Sequence, residues 1–181
     1  MAGTAQPISI EIDDAELRRE FKRLLDAVQD PSPALREIGE VLTRSTKERF
    51  QTETGPDGAK WEQNADSTLL NYLRKRQGLS KRKTATGGRT LTQRGARALG
   101  GKQILTDRGD LADSIAYQLE GDNSVAVGTS RIYAAMQQFG GTTADHPQLW
   151  GDIPARPFLG ISDADEADIL AILRAHLGDG A

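Results

Sequence analysis

The segment "DIPARPFLGIS", Asp152 to Ser162, restricts the fold around it more than any other stretch of the chain. Proline fixes φ, carries no N–H and pushes the preceding residue towards extended geometry. Pro154 and Pro157 therefore exclude a helix or a central strand here, leaving a stiff extended strap with Arg156 between the prolines and Phe158 after them. Ser162, with Asp165 three positions on, has the pattern of a capping box. The helix it opens carries Ile169, Leu170, Ile172, Leu173 and Leu177 and ends at Gly178. Three roles are open to such a strap: it can offer Arg156 to a ligand, lock it in an ion pair with an acid of its own subunit, or fit Arg156 and Phe158 to a neighbouring subunit.

The remaining periodicities predict an α+β fold, a small antiparallel sheet with a β-hairpin, packed by N-terminal helices and the C-terminal helix. "ISIEID", Ile8 to Asp13, alternates like a half-buried strand, and Leu17, Phe21, Leu24, Leu25 and Val28 then recur at helical spacing behind Asp14 as N-cap. After the breaker "DPSP", a second helix from about Pro33 to Gln51 carries Leu35, Ile38, Leu42 and Phe50, and the two helices are expected to pair antiparallel. "TGPDGAKW" is a turn that delivers Trp61 as an anchor, and Ser67 to Gln77 forms a helical turn or two. The firmest local signal is the hairpin "SIAYQLE" and "SVAVGT", joined by "GDN", whose residues tolerate positive φ. "RIYAAMQQFGG" places Ile132, Ala135, Met136 and Phe139 at helical spacing before a Gly140–Gly141 stop.

At 181 residues the chain fits one compact domain with an appendage, and no apolar run approaches a membrane span. The first residues have neither a basic nor an apolar signal region, so a soluble protein is expected. With no cysteine, disulfides, thiol catalysis and Cys-based metal sites are excluded. The two histidines, His146 and His176, have no metal-ligand spacing, and the serines no nucleophile elbow. "GARALGGKQ" mimics a P-loop from Gly95 to Lys102 but puts Gln103 where the magnesium-binding hydroxyl belongs. The acid pairs Asp110/Asp113 and Asp163/Asp165 read as helix-start residues rather than a general acid and base. No catalytic residue, cofactor or metal is expected.

The net charge of −3 conceals a steep imbalance: from Arg74 to Arg108 there are eleven Lys or Arg and one acid, Asp107. That segment carries +10 and leaves −13 for the remainder. Its centre, Gly78 to Lys102, has no clear periodicity and is read as a mobile basic loop. Arg74, Lys75, Arg76, Lys81, Arg82, Lys83, Arg89, Arg94 and Arg97 suit sequence-independent contact with double-stranded DNA phosphates, or with acidic faces of neighbouring subunits. No aromatic residue lies between Arg74 and Arg108, so base stacking on single strands is not indicated.

Taken in order, "GPDGAKW", "ILTDRGDLADSI", "VAVGTSRIYAAMQQFGG" and "DIPARPFLGIS" resemble the phage virion morphogenesis proteins, also called tail completion proteins, of Mu-like and P2-like phages. The likeness covers Thr54 to Ser162, interrupted by the basic segment, which is longer than the family core needs. It implies a structural virion protein of the neck, completing the tail and joining it to the DNA-filled head. Such proteins form rings around the DNA channel, sixfold at the tail end, or twelvefold for a head-side adaptor. Their partners would be copies of themselves, neighbouring neck and tail proteins and duplex DNA, with no membrane. The virion, and the host cytoplasm during assembly, would be its location. A non-virion DNA-binding module is the alternative, and the acidic remainder of the chain argues against it. One departure is Gln137, where the resemblance leads one to expect histidine in many relatives.

Overall fold

The computed structural model describes residues 30–149 and 151–178 together with Arg19, Lys22 and Arg23. The predicted strand Ile8 to Asp13, and most of the first predicted helix with its apolar residues, lie outside the described residues. Six helices and two separate two-stranded antiparallel sheets are described, an α+β fold. None of these helices is long and apolar enough to cross a membrane.

Helix α1, Ser32–Thr52, is the spine. Asp30 Oδ1 accepts the Ser32 N–H at 3.1 Å, prolines occupy the start where no intrahelical N–H is needed, and Glu53 closes the end at φ 55°. The chain then makes the turn at Gly55–Gly58 and buries Trp61. Helix α2, Asp66–Lys75, leads into strands β1, Leu79–Lys83, and β2, Arg89–Leu91, and then helix α3, Gln93–Gly100. The stretch 78–102, read from the sequence as a mobile basic loop, carries a hairpin followed by a helix. The strand signal was hidden because β1 and β2 have no buried face to enforce apolar alternation; nearly every side chain in them points to water.

Helix α4, Asp110–Asp113, precedes the predicted hairpin, strands β3, Ala116–Glu120, and β4, Ser124–Gly128, in register from Ala116 opposite Gly128 to Glu120 opposite Ser124. Helix α5, Ala134–Phe139, the strap, and helix α6, Asp163–Leu177, complete the chain. Helix α1 packs against α6 and across the β3–β4 hairpin. One core cluster joins Phe50, Trp61, Ile104, Leu111, Ile115, Ala134 and Phe158; a second joins Ala34, Ile38 and Ile172. Phe50 stands edge-on to Trp61 at 5.5 Å and tilted to Phe158 at 5.4 Å between ring centroids, so the spine, the turn and the strap meet at one aromatic centre. The apolar face read into α5 is turned round: Ala134 is buried, while Ile132 is 98% and Phe139 78% exposed.

Candidate functional site

Two regions bring together the residues singled out in the sequence. The first is the strap. Having no strand partner along most of its length, it must satisfy its backbone groups by other means. The Arg156 N–H donates to the Gln137 carbonyl at 2.8 Å, and Trp61 Nε1 donates to the Pro157 carbonyl at 2.9 Å. Gln138 holds three groups at once: its Oε1 accepts the N–H of Phe158 at 2.9 Å and of Leu159 at 3.0 Å, and its Nε2 donates to the Leu159 carbonyl at 2.9 Å. Arg49 Nη1 donates to the carbonyls of Phe158, at 3.0 Å, and Gly160, at 2.8 Å. Side chains thus replace the ladder that prolines forbid. Gly140, at φ 74°, lets the strap pass close behind α5, because a Cβ there would meet the Ala155 nitrogen and the Ile153 carbonyl.

Arg49 also forms a buried ion pair with Asp165, joining α1 to the capping box of α6. Asp165 Oδ2 accepts the Ser162 N–H at 2.8 Å, and Ser162 Oγ in turn accepts the Asp165 N–H. Burial pushes the Asp165 carboxyl up, but hydrogen bonds from Ser45 and Ser162 and the Arg49 charge outweigh it, and the group titrates below the ordinary carboxylate value.

Arg156 is 6% exposed, and its partners are main-chain carbonyls rather than an acid: Nε donates to Glu62 at 2.8 Å and Nη2 to Gln63 at 2.9 Å. Burial lowers its pKa, against the pull of Glu62. Phe158 is wholly inside. Both side chains therefore peg the strap to its own chain, and the outward residues are Ala155 and Pro157. An open cavity of about 480 Å³ lies beside Pro154 and Arg156; Lys102 and Arg108 line it together with Asp107, Asp110 and Asp152, so it favours neither sign of ligand charge.

The second region is the arm, α2 through α3. All nine basic residues proposed from the sequence, Arg74, Lys75, Arg76, Lys81, Arg82, Lys83, Arg89, Arg94 and Arg97, are exposed on it. Lys75 lies 3.9 Å from Asp107 in a solvated pair, and Arg76 lies over the Tyr72 ring. No other acid of the described residues pairs with these nine cations. Thr92 caps α3 by accepting the Gly95 N–H at 3.1 Å and donates to the Gly78 carbonyl at 2.9 Å, while Gly95 and Gly78 bring helix and hairpin backbones into contact. The P-loop mimic is the helix α3 itself, and Lys102 donates to the carbonyls of Thr106 and Gln103. His146 sits on the loop after α5 and His176 in the last turn of α6.

The model of the phage virion morphogenesis family matches residues 12–178, taking in the strap, its partners and the arm. The chain belongs to the phage virion morphogenesis family. Among curated proteins, this family member is 28% identical over 174 residues to the Mu-like prophage FluMu G protein 1 of Haemophilus influenzae, covering 95% of this chain and 96% of the relative. It is 31% identical over 143 residues to the putative capsid assembly protein G of Escherichia phage Mu, covering 78% and 76%. FluMu G protein 2 of the same Haemophilus strain is 29% identical over 164 residues, covering 90% and 91%. No solved structure matches.

Within this family member the motifs that hold Trp61, Gln138 and the strap meet in one construction, while Ile104, Leu111 and Ile115 of "ILTDRGDLADSI" pack in the core cluster that contains Phe158. At Gln137 the main chain supplies the contact to Arg156, so the side-chain identity there is not what anchors the strap. Arg49 and Gln138 were missed. Arg49 falls at helical spacing from Ile38, Leu42 and Thr46, a faint sign in the sequence, whereas nothing in the sequence sets Gln138 apart from Gln137.

Proposed function

We propose that this family member is a structural protein of the virion neck, completing the tail and joining it to the DNA-filled head as part of a homo-oligomeric ring around the DNA channel. The observation that supports this most is how the motif residues are employed: Trp61, Gln138, Arg156, Phe158 and Asp165 all fasten the chain's own backbone or core. Residues spent in this way make a rigid building block rather than a reaction centre, and an assembly role follows from family membership. Neighbouring subunits and neck proteins then meet a strap already set in shape, presenting Ala155 and Pro157, with little ordering left to do on binding. The name of the phage Mu relative, a putative capsid assembly protein, favours a second reading within the same class, a head-side adaptor ring. Symmetry separates the two, six copies at the tail end or twelve at the head.

Electron microscopy of a lysate from phage lacking this gene tests the proposal. DNA-filled heads and separate tails are expected. Joined, normal particles would overturn it.

A further inference from the structure

The arm is a surface whose cost is visible and whose partner can be named by its chemistry. In the β1–β2 register Lys83 stands directly opposite Arg89, and like charges in that position repel and destabilise a hairpin. Between Asp66 and Lys102 the sole acid is Asp66, so nothing within the arm neutralises the pair. A fold that places two cations face to face on a projecting hairpin gains from an anion laid across them. The pairing slips between Leu79 and Lys83, and Ser80 fills the irregularity: its Oγ accepts the Thr90 N–H at 3.1 Å and donates to the Arg82 carbonyl at 2.7 Å. The irregular strand is therefore a built feature that sets Lys81, Arg82 and Lys83 towards water.

The tip decides between two kinds of anionic partner. A protein face is gripped by aromatic and arginine anchors set in packed pockets, whereas a phosphate backbone asks for cations, hydroxyls and main-chain N–H groups with little bulk between them. The tip, Thr84 to Gly88, reads Thr-Ala-Thr-Gly-Gly and is wholly exposed, with Gly87 at φ 82°. The neighbouring helix α3 adds exposed Arg94 and Arg97, three residues apart and so on one side. No aromatic residue lies between Arg74 and Arg108, so the bases of single strands find nothing to stack on. We infer that the β1–β2 hairpin with α3 is a duplex-DNA contact that grips the phosphate backbone without reading sequence, through Lys81, Lys83, Arg89, Arg94 and the small tip. This rests on the proposed neck position, where duplex DNA is the neighbour.

The test is a titration of the full-length protein against a fluorescein-labelled duplex of about 30 base pairs, followed by anisotropy, between about 50 and 200 mM salt. Four phosphate contacts predict that affinity falls about 150-fold across that range. Replacing Lys83 and Arg89 by threonine removes two contacts, and the fall shrinks to about 12-fold. Because the substitution also relieves repulsion, the melting temperature is expected to stay level or rise, which separates lost binding from lost folding. A duplex of different sequence should bind equally well. The inference is overturned if the unaltered protein binds duplex without salt dependence, or if the double variant leaves the salt dependence unchanged. Salt-sensitive self-association that the same variant abolishes, without duplex binding, would overturn it in favour of an acidic face of a second copy. Joined particles from phage lacking the gene would sink the neck reading alone, since the titration does not depend on it.

Discussion

The strap and the arm are built on opposite terms. Along Arg156 to Gly160 the N–H groups of Arg156, Phe158 and Leu159 and the carbonyls of Pro157, Phe158, Leu159 and Gly160 each have a named partner, and the central side chain, Phe158, is wholly out of water. The arm leaves nine cations in solvent and sets two of them against each other. A region that has already satisfied its groups contributes stability; one that leaves charge uncompensated keeps affinity in reserve for something outside the chain. Arg156 and Phe158, in one of the two regions that the sequence singles out, are turned into their own chain here.

Substitutions should separate the two regions sharply. Phe158→Ala empties the aromatic centre and is expected to cost about 3–5 kcal/mol, seen as a large fall in thermal melting temperature. Asp165→Ala strands Arg49 as a buried unpaired charge and should cost about 3 kcal/mol or more in urea unfolding, whereas replacing Arg49 by Met and Asp165 by Leu together should cost less than the single change. A double replacement worse than the single one would mean that losing the bonds of Arg49 to the Phe158 and Gly160 carbonyls and of Asp165 to the Ser162 N–H outweighs the relief of the stranded charge.

The same carboxylate predicts a pH dependence with a definite sign. Its folded pKa lies below the unfolded value, so its contribution is complete above the unfolded pKa and is lost as pH falls through the folded one. Acid unfolding below about pH 4 should therefore be shifted in Asp165→Asn relative to the parent, with the difference between the two proteins shrinking as pH drops. Gln138→Ala leaves two N–H groups and a carbonyl of the strap without partners, and about 1–3 kcal/mol of destabilisation is expected.

Gly95→Ala is the smallest global effect and the most selective. A Cβ there runs into the Gly78 carbonyl, so α3 must move off the hairpin. The α3 amides from 96 to 100 should lose protection from hydrogen exchange while the fluorescence of buried Trp61 stays as it was. A simultaneous loss at Trp61 would mean that arm and body fold as one unit.

How far the chain could be read follows the same division. The helix Ser32–Thr52, the GDN hairpin and the capping box at Ser162 were legible because caps, turns and periodicity act within a few residues. The arm's hairpin was not, since strands without a buried face carry no alternation to read. The strap's rigidity was legible from its prolines, but its fastenings were not. Gln138 and Arg49 are joined to it across 20 or more residues of chain, and in sequence Gln138 looks no different from Gln137. Conversely, Ile132 and Phe139 had the spacing of a core face and lie in solvent, because a helix as short as Ala134–Phe139 is oriented by what it is tied to.

The division between a self-satisfied body and an arm held open for a partner is tested most directly by hydrogen exchange of the whole chain, free and with duplex DNA. The amides of Phe158 and Leu159 should exchange only through global unfolding in both cases, while those of 79 to 91 should exchange quickly in the free protein and slow markedly with DNA. Arm amides as protected as the strap's from the outset, or unchanged by duplex, would contradict it.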